Sequence, residues 1–269
     1  MSDKKKSKPE QGPEKVNVPI MTCYKKVLKH ICTFNNMVSE MKVEFSVEEG
    51  IIIKAVDPAH VWMRELHIKP GPCLRVWMDL EIGLDLEKLS PLIALMPVDE
   101  EIEVRYKDGG KKLTLAYGNH SPGIAAADMT GYVAHKMPHM NLPGCYMVDL
   151  ETLLDSIKHI EPLSDRLELV SDAGGLEVRG CNEKDDYTGK YPRSCVDFNP
   201  KESARENKSV FGVNYIYDSL MAFKKMKFGT VWLQLGDDYP GVLEVEESDG
   251  DYQFHDRILL APRIENAQR

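Results

Sequence analysis

Two eight-residue stretches decide the fold: VSEMKVEF at 38–45 and LSDRLELV at 163–170, 125 positions further along the chain. Each stretch leads to a glycine turn and a strand-like run, GIIIKAV at 50–56 and GLEVRGC at 175–181. A match in sequence, order and spacing is typical of an internal repeat. The two halves of the chain are therefore predicted to share one architecture.

Helical segments extend the repeat on both sides. Apolar residues recur at helical spacing in TCYKKVLKHICTF at 22–34 and in DLETLLDSIKHI at 149–160, directly before the two stretches. Thr22 is predicted to cap the first of these helices. A second pair of segments, GLDLEKLSPLI at 83–93 and GVNYIYDSLMA at 212–222, lies 129 positions apart, and Asp85 is predicted to cap its first member.

The predicted fold is α+β: two tandem similar domains, each with two helices on antiparallel sheets, joined by an interdomain strap. We expect a disordered tail at 1–16, domain 1 at 17–131, the strap at 132–147, domain 2 at 148–265 and a C-terminal tail at 266–269.

Composition excludes several classes of protein. The 269 residues carry a net charge of -9, which argues against a surface that is basic all over. No apolar run approaches the ~20 residues of a membrane span, and the charged N-terminus lacks the apolar stretch of a signal peptide. The six cysteines form no CxxC pair, so free thiols in a reducing compartment are expected.

Motifs for catalysis and for metal binding are missing from the sequence. It contains no GxSxG, no P-loop and no HExxH, so no catalytic residues are predicted and an enzyme is the third-ranked class. His135 and His139 stand four residues apart, but Pro138 between them disfavours the helix that would align them. Neither a metal site nor a cofactor is predicted.

Three short motifs carry a resemblance to a known family. LLAPRIE at 259–265 is the most specific, followed by KAVDPAHV at 54–61 and LSD at 163–165. Over about residues 17–265 the chain resembles the DNA sliding clamps of the proliferating cell nuclear antigen (PCNA) type, in their archaeal form. The resemblance implies a homotrimeric ring around duplex DNA that tethers a DNA polymerase, a ligase and a nuclease, is served by a clamp loader, and performs no covalent chemistry.

The resemblance also implies that four helices line the hole of the ring. Basic residues on them are the expected phosphate contacts: Lys25, Lys26, Lys29, His30, Lys88, Lys158, His159, Lys224, Lys225 and Lys227. The second helix departs from the family because residues 90–97, SPLIALMP, contain no basic residue, and Pro91 predicts a helix that starts there or kinks. Leu154 stands where the family often has a basic residue. We therefore expect weaker DNA binding with a flatter salt dependence.

A docking site for short partner motifs is implied as well. The family's pocket lies under the strap and, carried over position by position, uses Val56, His60, Val61, Met63, Met140, Leu142, Pro143, Pro240, Leu259, Ala261 and Pro262. Such a pocket accepts an aliphatic plug and aromatic side chains. Its methionines suit varied partners because methionine adapts its shape.

Ring closure remains open from the sequence. The resemblance implies that an edge strand near 111–118 of one subunit meets an edge strand near 186–198 of the next. Pro192 either sits at the outer edge of that strand or disrupts the contact. The basic residues Lys4, Lys5, Lys6 and Lys8 either touch DNA or belong to a solvated tail.

The alternative function is a clamp-like peptide-binding hub that is monomeric or differently assembled and binds DNA weakly. The expected location is the cytoplasm of an archaeal cell, or the nucleus of a eukaryotic one, and no membrane partner is expected.

Overall fold

The computed structural model describes residues 17–107, 111–133, 135–172, 174–182, 184–192, 197–198, 207–248 and 253–263. The lysines of the N-terminal tail, the KDGG turn, Ile264 and Glu265 lie wholly or partly outside these ranges. The C-terminal tail at 266–269 also lies outside them.

Both halves of the chain have the same order of elements. The first half contains β1 (Asn17–Tyr24), α1 (Lys25–Cys32), a 3-10 helix (Thr33–Asn36), β2 (Glu40–Ser46), β3 (Gly50–Val56), β4 (Trp62–Ile68), β5 (Leu74–Val76), β6 (Leu80–Asp85), α2 (Leu86–Leu95), β7 (Glu101–Lys107), β8 (Lys112–Ala116) and β9 (Gly123–Ala125). The second half contains β10 (Gly144–Asp149), α3 (Leu150–Ile160), β11 (Arg166–Asp172), β12 (Gly175–Cys181), β13 (Asp186–Pro192), β14 (Asp197–Phe198), β15 (Asn207–Gly212), α4 (Val213–Lys225), β16 (Thr230–Leu235), β17 (Gly241–Ser248) and β18 (Gln253–Leu260). The repeat in sequence is thus a repeat in structure.

Three antiparallel sheets carry these elements. Their strand orders are β5-β1-β7-β8-β9, β13-β12-β11-β15 and, for the largest, β14-β10-β16-β17-β18-β4-β3-β2-β6. The largest sheet joins the two halves, because β18 pairs with β4 over seven residue pairs from Phe254↔Ile68 to Leu260↔Trp62. A single α+β structure with two similar halves results, as predicted.

A buried ion pair crosses this junction on the helix side of the sheet. Arg64 of β4 donates from Nε to Oδ1 of Asp256 at 2.9 Å and from Nη2 to Oδ2 at 2.6 Å. Its guanidinium also lies 4.1 Å from the ring centroid of Phe34, and Nη2 donates to Oγ1 of Thr33 at 2.9 Å. Strand pairing and the ion pair therefore fix the two halves together.

Helix starts follow the capping signals in two cases out of three. Asp85 accepts from the backbone N–H of Lys88 at 3.0 Å, and Asp149 does the same for Thr152 at 2.8 Å. The Thr22 cap is wrong, because β1 continues through Thr22 to Tyr24 before α1 begins. Helix α2 does not start at Pro91 either; it begins at Leu86 and runs through that proline.

Apolar helix faces pack onto the sheets. On α3 the buried side chains include Leu153, Leu154, Ile157 and Ile160, at the spacing of one helix face. Leu154 is fully buried, so this position belongs to the core and does not offer a site for a phosphate contact. The four cysteines with described side chains, Cys23, Cys32, Cys73 and Cys145, are free thiols.

Candidate functional site

An apolar row crosses three neighbouring strands on the outer face of the nine-stranded sheet. Val56 of β3 lies directly opposite Met63 of β4, and Met63 lies opposite Leu259 of β18. Directly opposed residues project from the same face of a sheet, so these three side chains are neighbours. Beyond the end of the row, the backbone N–H of Ala261 donates to the carbonyl of Val61 at 2.8 Å. Strand register thus brings five of the predicted docking residues together.

The loop between β3 and β4, residues 57–61, borders one end of this row and is called here the docking loop. Its conformation depends on Asp57, which is only 4% exposed. Oδ1 of Asp57 accepts from the backbone N–H groups of Val61 at 2.8 Å and Trp62 at 2.7 Å, and Oδ2 accepts from that of Ala59 at 3.0 Å. The turn places His60 at φ +57 and leaves its side chain exposed.

The strap reaches the same region. Before it begins, the backbone N–H of Ala127 donates to the carbonyl of Gly83 at 3.0 Å, which attaches the chain to the edge strand β6. The hydroxyl of Tyr132 then donates to the carbonyl of Lys54 at 2.6 Å, two residues from Val56. Further on, the ring of His135 meets the ring of His60 edge to face, with 5.8 Å between the centroids.

The remaining predicted docking residues border the same part of the sheet. Leu142 is 8% exposed and packs beside Gly236 at the end of β16, while Met140 and Pro143 are half-buried. Gly144 already begins β10, so residues 144–147 are strand residues. Pro240 and Pro262 are half-buried next to β17 and β18, whose Val242 and Leu259 lie opposite each other. The site as a whole is an apolar cleft bordered by a loop and a strap.

The predicted phosphate contacts divide into an exposed group and an engaged group. Lys29, Lys158, Lys225 and Lys227 have exposed side chains, and Lys26 is half-buried. The other predicted residues make local contacts. Lys224 donates to Oε2 of Glu151 at 2.8 Å, Lys88 donates to Oδ2 of Asp85 at 2.5 Å, and the ring of His159 stacks on Tyr187 with centroids 5.3 Å apart.

Two of the predicted contacts are wrong, because Lys25 and His30 are buried. The ammonium group of Lys25 donates to the carbonyls of Ala94, at 2.9 Å, and Met96, where α2 ends. The ring of His30 packs edge-on against Phe254, and burial lowers the pKa of His30 to about 3. Both side chains serve the packing of α1 and cannot reach a phosphate.

Helix α2 exposes apolar surface where the family is expected to be basic. Lys88 is its single basic residue, and Asp85 raises the pKa of that lysine through their hydrogen bond. Leu95 is 78% exposed and Val98, just past the helix, is 63% exposed. The departure read from the sequence is therefore a feature of the surface.

The edge strands differ in part from the prediction. Strand β13 lies at the edge of its sheet, as expected for 186–198, and Pro192 is its last residue, opposite Gly175. In the first half the edge strand is β9, not the predicted segment at 111–118. Strand β8 pairs with β7 on one side and with β9 on the other, so its backbone groups are occupied within the sheet.

Sequence reasoning did not single out two residues that shape the cleft. Asp57 stands inside the KAVDPAHV motif, and the Asp-Pro pair was a signal for a structured turn. Tyr215 of α4 donates from its hydroxyl to Oδ2 of Asp57 at 3.1 Å, a contact between residues 158 positions apart that no local pattern indicates.

Metal-binding and membrane-spanning features were also sought. Within the described ranges, no three side chains of His, Cys, Asp or Glu come together to hold a metal ion. The helices in the same part of the chain are all too short or too polar to cross a membrane.

Known proteins with similar sequences are archaeal. No family model matches the chain. It is 26% identical to the DNA polymerase sliding clamp of Methanococcoides burtonii over 238 residues, which cover 87% of this chain and 93% of the relative. It is 28% identical to the DNA polymerase sliding clamp of Methanothrix thermoacetophila over 244 residues, which cover 86% and 92%.

Solved structures with the same fold are those of PCNA. The structure of A. fulgidus PCNA with the C-terminal region of FEN-1 bound has a TM-score of 0.79 at 22% identity, and covers 93% of this chain and 100% of that one. PCNA from Thermococcus kodakaraensis has a TM-score of 0.76 at 18% identity, and covers 91% and 99%. The resemblance carried by the three short motifs is confirmed, and so is the predicted fold.

Proposed function

Because the chain belongs, by sequence similarity and by fold, with the PCNA-type DNA sliding clamps, we propose that it encircles duplex DNA as a homotrimer and tethers replication and repair enzymes to it. The partners are a DNA polymerase, a clamp loader, a ligase and a nuclease, which dock through short motifs. The role is mechanical and involves no catalytic residue. Residues 17–131 and 148–265 act as the two clamp domains, and the archaeal relatives favour a cytoplasmic location.

The observation that carries this proposal is the apolar row of Val56, Met63 and Leu259 with the strap beside it. An aliphatic or aromatic side chain laid on this row loses contact with water, which contributes roughly 1.5–3 kcal/mol for a fully buried anchor. Peptides of a few residues can reach micromolar affinity in this way. The exposed Lys29, Lys158, Lys225 and Lys227 are proposed to contact phosphates.

Peptide titration tests the docking part. The probe is a synthetic peptide with one aliphatic residue followed by two aromatic residues, measured by calorimetry. We expect Leu259→Ser to weaken binding about tenfold or more, since a polar group replaces the centre of the row. The matched control is Ile52→Ser on the same face of β3, at a position opposite His67 and away from the row. Equal affinity for both variants would contradict the assignment of the cleft.

Light scattering and DNA retention test the ring. A trimer mass, together with retention on closed circular DNA that is lost when the DNA is cut, is the expected result. A stable mass near 30.5 kDa at micromolar concentration would refute encirclement.

A hub that docks peptides without encircling DNA is the second candidate function. Two observations favour it: β9 offers only three residues at the sheet edge, and α2 exposes Leu95 where a basic residue was expected. This candidate predicts the same peptide affinity with a monomeric mass.

A further inference from the structure

Helix α4 holds the docking loop through two side chains one helical turn apart. The hydroxyl of Tyr215 donates to Oδ2 of Asp57 at 3.1 Å. The indole N–H of Trp62, the first residue after the loop, donates to Oγ of Ser219 at 3.1 Å. Ser219 in turn donates to the carbonyl of Tyr215 at 2.6 Å, which fixes the direction of its hydroxyl. The two contacts together connect both ends of the loop to one face of α4.

The Asp57 carboxylate is the centre of this arrangement. It is almost fully buried and accepts three backbone N–H groups of the segment 59–62 as well as the Tyr215 hydroxyl. Hydrogen bonds to an ionised group are stronger than those between neutral groups. Burial and the Asp57 carboxylate both raise the pKa of Tyr215, so its hydroxyl remains a protonated donor at neutral pH.

The position of the loop matters to the cleft at two points. Val61 accepts from the backbone N–H of Ala261, which follows the apolar row on β18. His60 contacts His135 of the strap. A shift of the loop relative to β18 therefore displaces both borders of the cleft, although Tyr215 itself lies on a helix and belongs to neither border.

We infer that Tyr215 is a positioning residue for partner docking: through Asp57 it sets the docking loop in the conformation that accepts a partner peptide. This inference rests on the proposed docking function. It assigns to α4, otherwise a candidate DNA-facing helix, a second role in presenting the cleft.

Tyr215→Phe removes only the hydroxyl that reaches Asp57. The matched control is Tyr217→Phe, which deletes the same atom two residues along the same helix and on a different face. Hydrogen exchange followed by mass spectrometry measures the docking loop without any partner, and calorimetry with the aliphatic–aromatic peptide measures docking. A loss of one hydrogen bond to a charged group corresponds to about a tenfold change in equilibrium constant.

The expected result is a faster exchange of residues 59–62, by about tenfold, and a weaker peptide affinity by a similar factor. Exchange in β11 and the unfolding temperature should match those of the Tyr217→Phe control. Ser219→Ala should give the same local pattern, because it frees the indole of Trp62.

Three outcomes separate this inference from the proposed function. Unchanged exchange of residues 59–62 in Tyr215→Phe overturns the positioning role. Faster exchange with unchanged peptide affinity overturns its link to docking. If the wild-type chain does not bind the peptide, the docking function fails, while faster local exchange still supports the hold of Tyr215 on the loop.

Discussion

Arg64 and Asp256 form a two-point ion pair with no exposure to solvent, and they belong to opposite halves of the chain. The contact lies at the single pairing, β4 with β18, through which the described part of the large sheet passes from one half to the other. Two charges in such a place are stable only as a pair, since each would be costly to bury alone.

Removing one charge of this pair should strongly destabilise the protein. Asp256→Asn leaves the Arg64 guanidinium buried without its counter-charge, and we expect a loss of about 3–5 kcal/mol in the free energy of unfolding. Denaturation in urea, followed by circular dichroism, measures this loss. The control is Glu65→Gln, which breaks the exposed pair with Lys54 at 2.9 Å and should cost about 1 kcal/mol or less. Similar losses in the two variants would contradict the special role of the buried pair.

The salt dependence of DNA binding should separate exposed from buried lysines. Each phosphate contact adds about 0.9 to the slope of log K against log salt concentration on duplex DNA. Lys29→Gln and Lys225→Gln should each lower that slope by up to this amount. Lys25→Met should leave the slope unchanged and lower the unfolding temperature, because it removes the ammonium group that caps the end of α2. A reduced slope in Lys25→Met would show that this side chain reaches the DNA after all.

Acid should destabilise the protein through His30. Burial lowers the pKa of His30 to about 3 in the folded protein, against an ordinary value of 6.5. As pH falls below the ordinary value, the unfolded chain takes up a proton that the folded chain does not, so stability decreases toward low pH. The slope from this one group reaches about 1.4 kcal/mol per pH unit. His30→Met should lack this component when urea unfolding is compared at pH 6.5, 5.5 and 4.5. Parallel curves for both proteins would exclude it.

The strap should be released by loss of a single hydroxyl. Tyr132→Phe removes the hydrogen bond to the carbonyl of Lys54, worth about 1 kcal/mol. We expect trypsin to cut after the exposed Lys136 several times faster than in the wild type. Tyr239→Phe, at a residue that is 53% exposed, is the control and should not change the rate. If both variants are cut at the wild-type rate, the anchor does not hold the strap.

Much of the fold could be predicted because the signals were local. Helical spacing located α1, α3 and α4, and alternation of apolar residues located β2 and β3. Thr22 misled because a good capping residue also fits in a strand, and the pairing of β1 with β7 carries the strand to Tyr24. The pairing of β9 with β8 involves a three-residue strand, too short to leave a pattern in the sequence.

The cleft could be assembled only in part. The resemblance placed Val56, Met63 and Leu259 in one site, and strand register explains their proximity. Periodicity could not tell that Lys25 points inward, because the last turn of α2 that receives its ammonium group is distant in sequence. The contact of Tyr215 with Asp57 is equally non-local.

The nine-stranded sheet has a mechanical consequence. A load applied to one half of the chain passes to the other through seven opposed residue pairs of β4 and β18, so the chain resists bending at its middle like a continuous beam. The free edges at β9 and β13 are far less reinforced, since β9 spans three residues. In a closed assembly of such chains, flexure would concentrate at the joints between neighbours, and a loading enzyme would prise the assembly apart there.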